Sequence, residues 1–233
     1  HLPMSMHLRL LTVAFATLGH ALKYYQDPRM HNLGNVGFGG RIHAMFAPLA
    51  TAVITERAYG GFEPRKWLHA QLPNTTCVDL GCGVGLSTRP GDLGIDASHE
   101  MIERARLIGQ DKVFLVADVE DWEGRNFAAA TLAFVTHEMP RTARLNAMHN
   151  ALRIAPLVYV MDIDTSYTPS MAMLTGEPYI SNYLEFMDMD VRAIATVNNA
   201  DLVVNDLIPG HVRVWNLSVN RPLIMSASSD PES

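Results

Sequence analysis

The chain has little cysteine, little charge and no long apolar run. Cys77 and Cys82 are the only cysteines among 233 residues, too few for a disulfide framework, and neither has a Cys-x-x-Cys partner or a histidine at metal-ligand spacing. A reducing compartment, and hence a cytoplasmic protein, is expected. Charged residues make up 18% of the chain, and 18 basic against 24 acidic side chains leave a formal net charge of −6. That sign opposes a protein whose affinity rests on neutralising phosphates, and no basic run is visible, so no nucleic-acid partner is expected. The most apolar stretch, Leu10 to Leu22, runs for only 13 residues and is broken by Thr12, Thr17, Gly19 and His20. A membrane-spanning helix needs about 20 residues, so none is expected here. The stretch predicts a helix packed on the domain; with Arg9 in front, it also has the make-up of the apolar part of a targeting peptide.

What is present is a collapsible sequence. Apolar residues reach 48%, which excludes disorder, collagen-like repetition and coiled coil as the main organisation. The segment from Asp27 to Gly40 carries four glycines and a proline and reads as a loop. Beyond it Ile42, Met45, Phe46, Leu49, Val53 and Ile54 recur at helical spacing, with Pro48 predicting a kink and Gly60-Gly61 an end. Residues 1–60 therefore read as a helical cap with a glycine-rich loop, 61–225 as the core domain, and 226–233 as a polar, frayed tail. In the core, Cys77-Val-Asp-Leu, Val113-Phe-Leu-Val-Ala, Thr131-Leu-Ala-Phe-Val and Leu157-Val-Tyr-Val-Met are apolar runs of the kind parallel strands show when both faces are covered. Ser98 is placed to cap a helix ending at Gly109, and Leu145, Met148 and Leu152 mark another. Alternation of strand and helix predicts an α/β fold: a mostly parallel sheet with helices on both faces. Leu202 to Leu207 and Val212 to Val219, flanking Pro209-Gly210, predict an antiparallel hairpin at its end.

The chemistry is concentrated where Val78-Asp79-Leu80 runs into Gly81-Cys82-Gly83-Val84-Gly85. Glycines at alternate positions after a strand let the backbone turn tightly and approach a ligand at the carboxyl edge of the sheet. A dinucleotide fingerprint would need glycine at 86 or 88, and those positions are Leu86 and Thr88. Asp96 then follows a second short strand and Asp118 a third. Carboxylates at successive strand ends face one crevice and accept hydrogen bonds from a ribose diol or an adenine amino group, so the order points to a nucleoside site.

On these residues the chain resembles the class I S-adenosylmethionine-dependent methyltransferases, in the small-molecule branch described as the type 11 methyltransferase domain. The resemblance implies a Rossmann-like sheet and S-adenosylmethionine as cofactor. It implies that Asp79, Gly81, Cys82, Gly83 and Gly85 receive the methionine part, that Asp96 with Ala97 and Ser98 holds the ribose, and that Asp118 and Val119 border the adenine. Thr136 and His137 fall where the fourth strand delivers residues to the methyl group. One departure is plain: only nine positions separate Gly85 from Gly94, too few for the family's first helix. Asp162 and Asp164 have the chemistry to hold magnesium, as in a catechol-type enzyme, but strand-end aspartates have plainer uses and no metal is expected.

The acceptor is expected to be a small molecule. Thr136-His137-Glu138-Met139-Pro140 stands where nucleic-acid amino-methyltransferases carry an Asn-Pro-Pro-Tyr-like motif. An imidazole with a pKa near ~6.5 suits removal of an acceptor proton, which nominates His137 as catalytic base. Tyr167 is the second catalytic candidate and, with Met171, Met173 and Tyr179, is expected to line the acceptor pocket, whereas Tyr183 and Met187 sit at the spacing of helix packing. His31, Asn35, Arg41 and His43 are polar residues in or after the glycine-rich loop with the reach to meet a substrate. The second reading of the whole chain is a methyltransferase-like fold kept as a non-catalytic binding or scaffold module.

Overall fold

The computed structural model describes residues 23–220. The apolar stretch from Leu10 to Leu22 and the tail from Ser226 lie outside the described residues. Seven strands form one sheet: β1 (Cys77–Leu80), β2 (Leu93–Asp96), β3 (Val113–Val116), β4 (Ala129–Ala133), β5 (Leu157–Ile163), β6 (Asp201–Ile208) and β7 (Val212–Ser218). Their order is β3-β2-β1-β4-β5-β7-β6. The first five are parallel, while β7 runs antiparallel to both β5 and β6. The α/β sheet and its terminal hairpin are thus as the apolar runs predict.

Among the described residues six α-helices accompany the sheet: α1 (Gly37–Ala58), α2 (Pro64–Gln71), α3 (His99–Ile108), α4 (Arg141–Ile154), α5 (Met171–Gly176) and α6 (Ile180–Val197). Helices α4 and α6 cover one face, where Met148, Leu152, Tyr183, Met187 and Trp215 are fully buried. Each such aliphatic side chain contributes about 1.5–3 kcal/mol relative to exposure. Arg144 and Asp190 join these two helices through a fully buried ion pair of 2.7 Å. On the other face, Leu68 and Leu72 of and beyond α2 pack on Cys77, Met161 and Val214. Ser98 caps α3 as expected, its Oγ accepting from Met101 N at 3.2 Å.

Three local expectations need correction. Residues 37–40 open α1 and are not loop, because glycine there serves a close approach: a Cβ on Gly39 would lie 1.7 Å from Leu33 O, and one on Gly40 would lie 2.6 Å from the Asn35 carbonyl. Along the helix, which continues past Pro48, the buried side is the small one, Gly40 and Ala44, while Met45, Phe46, Leu49 and Val53 face outward. Finally, β3 is an edge strand with only Phe114 buried, so its apolar run does not signal two covered faces.

No helix forms between β1 and β2. The space beside the glycine-rich turn is taken by α1, whose Ala44 and Ala47 pack on Val84, Leu86 and Met101. Residues assigned from the sequence to a separate cap therefore form a wall of the site.

Candidate active site

The strand order reverses between β1 and β4, and open α/β sheets bind ligands beyond the carboxyl ends of strands at such a point. A cavity of about 520 Å³ lies there, within the range of small-molecule sites. Its floor is the turn after β1, tied to β2 by Gly81 N and Cys82 N, which donate to Ile95 O at 2.8 and 2.9 Å. Gly81, Gly83 and Gly85 all have positive φ. At Gly81 a Cβ would strike the Val135 side chain at 2.6 Å, whereas at Gly83 it would meet nothing within 4 Å. Gly83 thus presents bare backbone to the cavity. Its N–H donates to Asp96 Oδ2 at 2.9 Å, and Ser98 N donates to Oδ1 at 2.8 Å. Burial lifts the Asp96 carboxyl to about 6, against the pull of those two bonds.

Of the residues nominated from the sequence, Gly81, Cys82, Gly83, Asp96, His137 and Tyr167 line this one cavity. Asp79 does not: its buried carboxylate accepts from Thr88 Oγ1 at 2.7 Å and Thr131 Oγ1 at 2.8 Å, bracing the turn from beneath. A Cβ on Gly85 would strike the Phe114 ring at 2.5 Å, so this glycine serves packing. Ala97 is half-buried beside Asp96. Ser98 Oγ donates to Asn35 O at 2.5 Å, fastening the N-terminal loop. Asp118 is paired with Lys23 at 3.1 Å, and Val119 is buried, its carbonyl accepting from Asn150 Nδ2. Among the later residues Met173 joins the lining, while Met171 is exposed and Tyr183 is core; Arg41 is exposed, outside the lining.

His137 sits in a short 3-10 turn (Thr136–Glu138) after β4. Its Nδ1 lies 2.7 Å from Asp162 Oδ1, a carboxylate at the pairing distance because β4 and β5 run side by side. Asp162 is fully buried and also accepts from Thr136 N, Thr136 Oγ1, His137 N and Ile163 N. With its oxygens so filled it is a positioning carboxylate; Asp164 is likewise engaged by Ser166, Gly210 and Arg213. Among the described residues no group of three or more His, Cys, Asp or Glu converges as a metal site. Burial alone would lower the His137 pKa, but the charge and hydrogen bond of Asp162 reverse this and raise it to about 9. Thr136, wholly buried, serves Asp162 and does not reach the cavity.

Two wall features escaped the sequence. Arg65, at the second position of α2, lies with its guanidinium 4.6 Å above the Phe134 ring and donates to Ser87 Oγ at 3.0 Å, with no carboxylate partner among the described residues. Phe134 itself has φ of 56°, a strained conformation for an aromatic residue, where β4 gives way to the site. The other is a cluster that ties the N-terminal loop to the site: His31 bridges Glu138 and Glu177, 107 and 146 residues away in sequence, at 3.0 and 2.6 Å. His31, Asn35 and His43 were candidates individually. Glu177, standing in a methionine-rich segment, carries no local signal of this pairing.

Residues 78–156 match a family model described as a methyltransferase domain. Over this stretch the chain is similar to that family. Over roughly 67–84% of its length the chain is also similar in fold to solved methyltransferase structures. The methyltransferase domain of a bacterial Hen1 shares 15% identity with a TM-score of 0.53, covering 67% of this chain and 97% of that one. A TehB-like SAM-dependent methyltransferase from Corynebacterium glutamicum shares 16% at a TM-score of 0.51, covering 73% and 98%. Magnesium protoporphyrin IX methyltransferase from Synechocystis, solved with bound SAH, shares 17% at 0.50, covering 84% and 95%. The matched stretch runs from β1 through α4 and so contains the glycine-rich turn, Asp96 and His137. Among the described residues no helix is long and apolar enough to cross a membrane.

Proposed function

We propose that this protein transfers a methyl group from S-adenosylmethionine to a small-molecule nucleophile. The observation that carries this reading is a single cavity joining the bare backbone of Gly83 and the carboxylate of Asp96 to the imidazole of His137. The turn suits the cofactor because the missing side chain of Gly83 leaves open space, and because Asp96 is an anchored acceptor for the ribose hydroxyls. Arg65 supplies the positive charge for the amino-acid carboxylate. S-adenosylmethionine, held there, would supply an electrophilic methyl group for the acceptor, its sulfonium sulfur becoming the thioether leaving group.

The protein's own task is to hold the acceptor, take its proton and exclude water. Asp162 holds Nδ1–H of His137, so the neutral ring carries its lone pair on Nε2, the nitrogen left for an acceptor hydroxyl. The raised pKa makes that nitrogen a strong base whose neutral fraction grows toward about 9, so turnover should climb through this range. Tyr167, Phe134 and α1 supply walls of the cavity. A concave site of about 520 Å³ and a net charge of −6 favour a small acceptor over a nucleic acid. The test is calorimetric titration with S-adenosylhomocysteine, followed by transfer of labelled methyl from S-adenosylmethionine to a panel of small nucleophiles. Binding without transfer to any of them would favour the scaffold reading, and absence of binding would end the cofactor assignment.

A further inference from the structure

The loop cluster beside His137 contains an unbalanced charge and an unpartnered oxygen. Glu138 has both oxygens occupied, Oε1 by His31 Nε2 at 3.0 Å and Oε2 by Asn35 Nδ2 at 3.2 Å. Glu177 Oε1 faces His31 Nδ1 at 2.6 Å. Carboxylates only accept hydrogen bonds, so both nitrogens of His31 carry protons and the ring is an imidazolium. The same logic turns Asn35 Oδ1 toward His43 Nδ1, 2.9 Å away, which must then be the protonated nitrogen of His43. Burial and the charge on His31 hold His43 neutral, its pKa lowered to about 4. Two carboxylates and one imidazolium leave the cluster at −1. Glu177 is 8% exposed, and its Oε2 is buried with no hydrogen-bond partner among the described residues. Leaving such an atom unpaired costs about 1–3 kcal/mol or more.

All five residues line the cavity that also holds His137, Tyr167 and Met173. We propose that the acceptor carries a cationic nitrogen, a primary or secondary ammonium, and anchors it on Glu177 Oε2 while its apolar body lies against Tyr167 and Met173. This inference rests on the cavity being the methyl-transfer site. Glu177 itself lines the cavity, so a ligand bound there lies beside its carboxylate. A hydroxyl would satisfy the oxygen but leave the net charge buried in a medium of low dielectric. An ammonium satisfies both, through a charge-assisted bond.

The experiment uses the full chain saturated with S-adenosylhomocysteine and three probes that share a benzyl group: benzylamine, benzyl alcohol and phenylacetate. The expected result is that benzylamine binds at least about tenfold more tightly than either analogue, and that Glu177→Gln abolishes the preference while S-adenosylhomocysteine affinity stays within about twofold. Should Glu177→Gln fail to fold, Glu177→Asp withdraws the charge by one methylene and must weaken benzylamine alone. Equal binding of the three probes, no binding of benzylamine, or a preference that survives substitution overturns the proposal. So does a tenfold loss of S-adenosylhomocysteine affinity in Glu177→Gln, which would assign the oxygen to the cofactor. Failure of the parent protein to bind S-adenosylhomocysteine is a separate result, removing the cofactor reading itself and this inference with it.

Discussion

Asp162→Asn isolates the positioning carboxylate. In the parent, Asp162 accepts five hydrogen bonds and, against the effect of burial and with smaller help from Glu138 and Glu177, is the main cause of the rise of His137 from 6.5 to about 9. At 1.36 kcal/mol for each tenfold in proton affinity this is of order 3 kcal/mol. Because the folded-state pKa is the raised one, that stabilisation is complete below 6.5 and is lost as pH rises through about 9. Asp162 is itself held below the usual carboxylate value of 3.8, so the ion pair persists across the interval between. The asparagine variant should therefore lose about 3 kcal/mol of urea-measured stability near pH 7, beyond the cost of mismatched hydrogen bonds. Near pH 10 only the hydrogen-bond cost should remain. Proton NMR of the histidine Cε1–H, with His137 assigned from a His137→Gln spectrum, should show a midpoint near 9 falling below 7 in the variant. A parent midpoint at or below 6.5, or equal destabilisation at the two pH values, would refute the reasoning.

Asp96→Ala should weaken S-adenosylhomocysteine about ten- to a hundredfold by calorimetry, since each charged hydrogen bond is worth about 1.5–3 kcal/mol. In the parent the same affinity should decline as pH falls through about 6, where Asp96 protonates. His137→Ala should cut turnover on the true acceptor by ~10²–10⁴ with cofactor affinity nearly unchanged; turnover within a few-fold would leave His137 a structural residue. Gly83→Ala should cost about 1–2 kcal/mol in stability for a left-handed alanine and lose S-adenosylhomocysteine binding, because its methyl points into the cavity. Retained affinity in that variant would place the cofactor elsewhere.

Signals confined to one strand and its following turn were legible. The run Cys77-Val-Asp-Leu is buried throughout and ends in glycines, so both the strand and its tight glycine turn could be read, as could the Ser98 cap and the terminal hairpin. What could not be read depends on neighbours distant in sequence. Asp162 meets His137 only through the β4–β5 register, and Glu177 meets His31 only because the N-terminal loop lies over the site. The Asp118 carboxylate follows its strand as expected, yet its partner is Lys23, from the segment preceding the loop. Helix α1 misled for a packing reason: its apolar stripe is periodic, but close contact with the sheet domain selected the glycine and alanine side instead.

The segment from Lys23 to Ala58 is held to the rest of the chain by Ser98 on Asn35, Glu100 on Gly37, and Glu138 and Glu177 on His31, and of these Asn35, His31, Glu138 and Glu177 also border the cavity. Docking of this segment and occupancy of the cavity are therefore thermodynamically linked. A ligand that needs both walls stabilises the docked chain by about 2.7 kcal/mol when present at a hundred times its dissociation constant. Conversely, anything that draws the segment away dismantles the site without touching the sheet. The Gly60-Gly61 connection at the end of α1 then becomes a place where ligand binding is reported at a distance, as slower cleavage by an added protease in proportion to the fraction of protein bound.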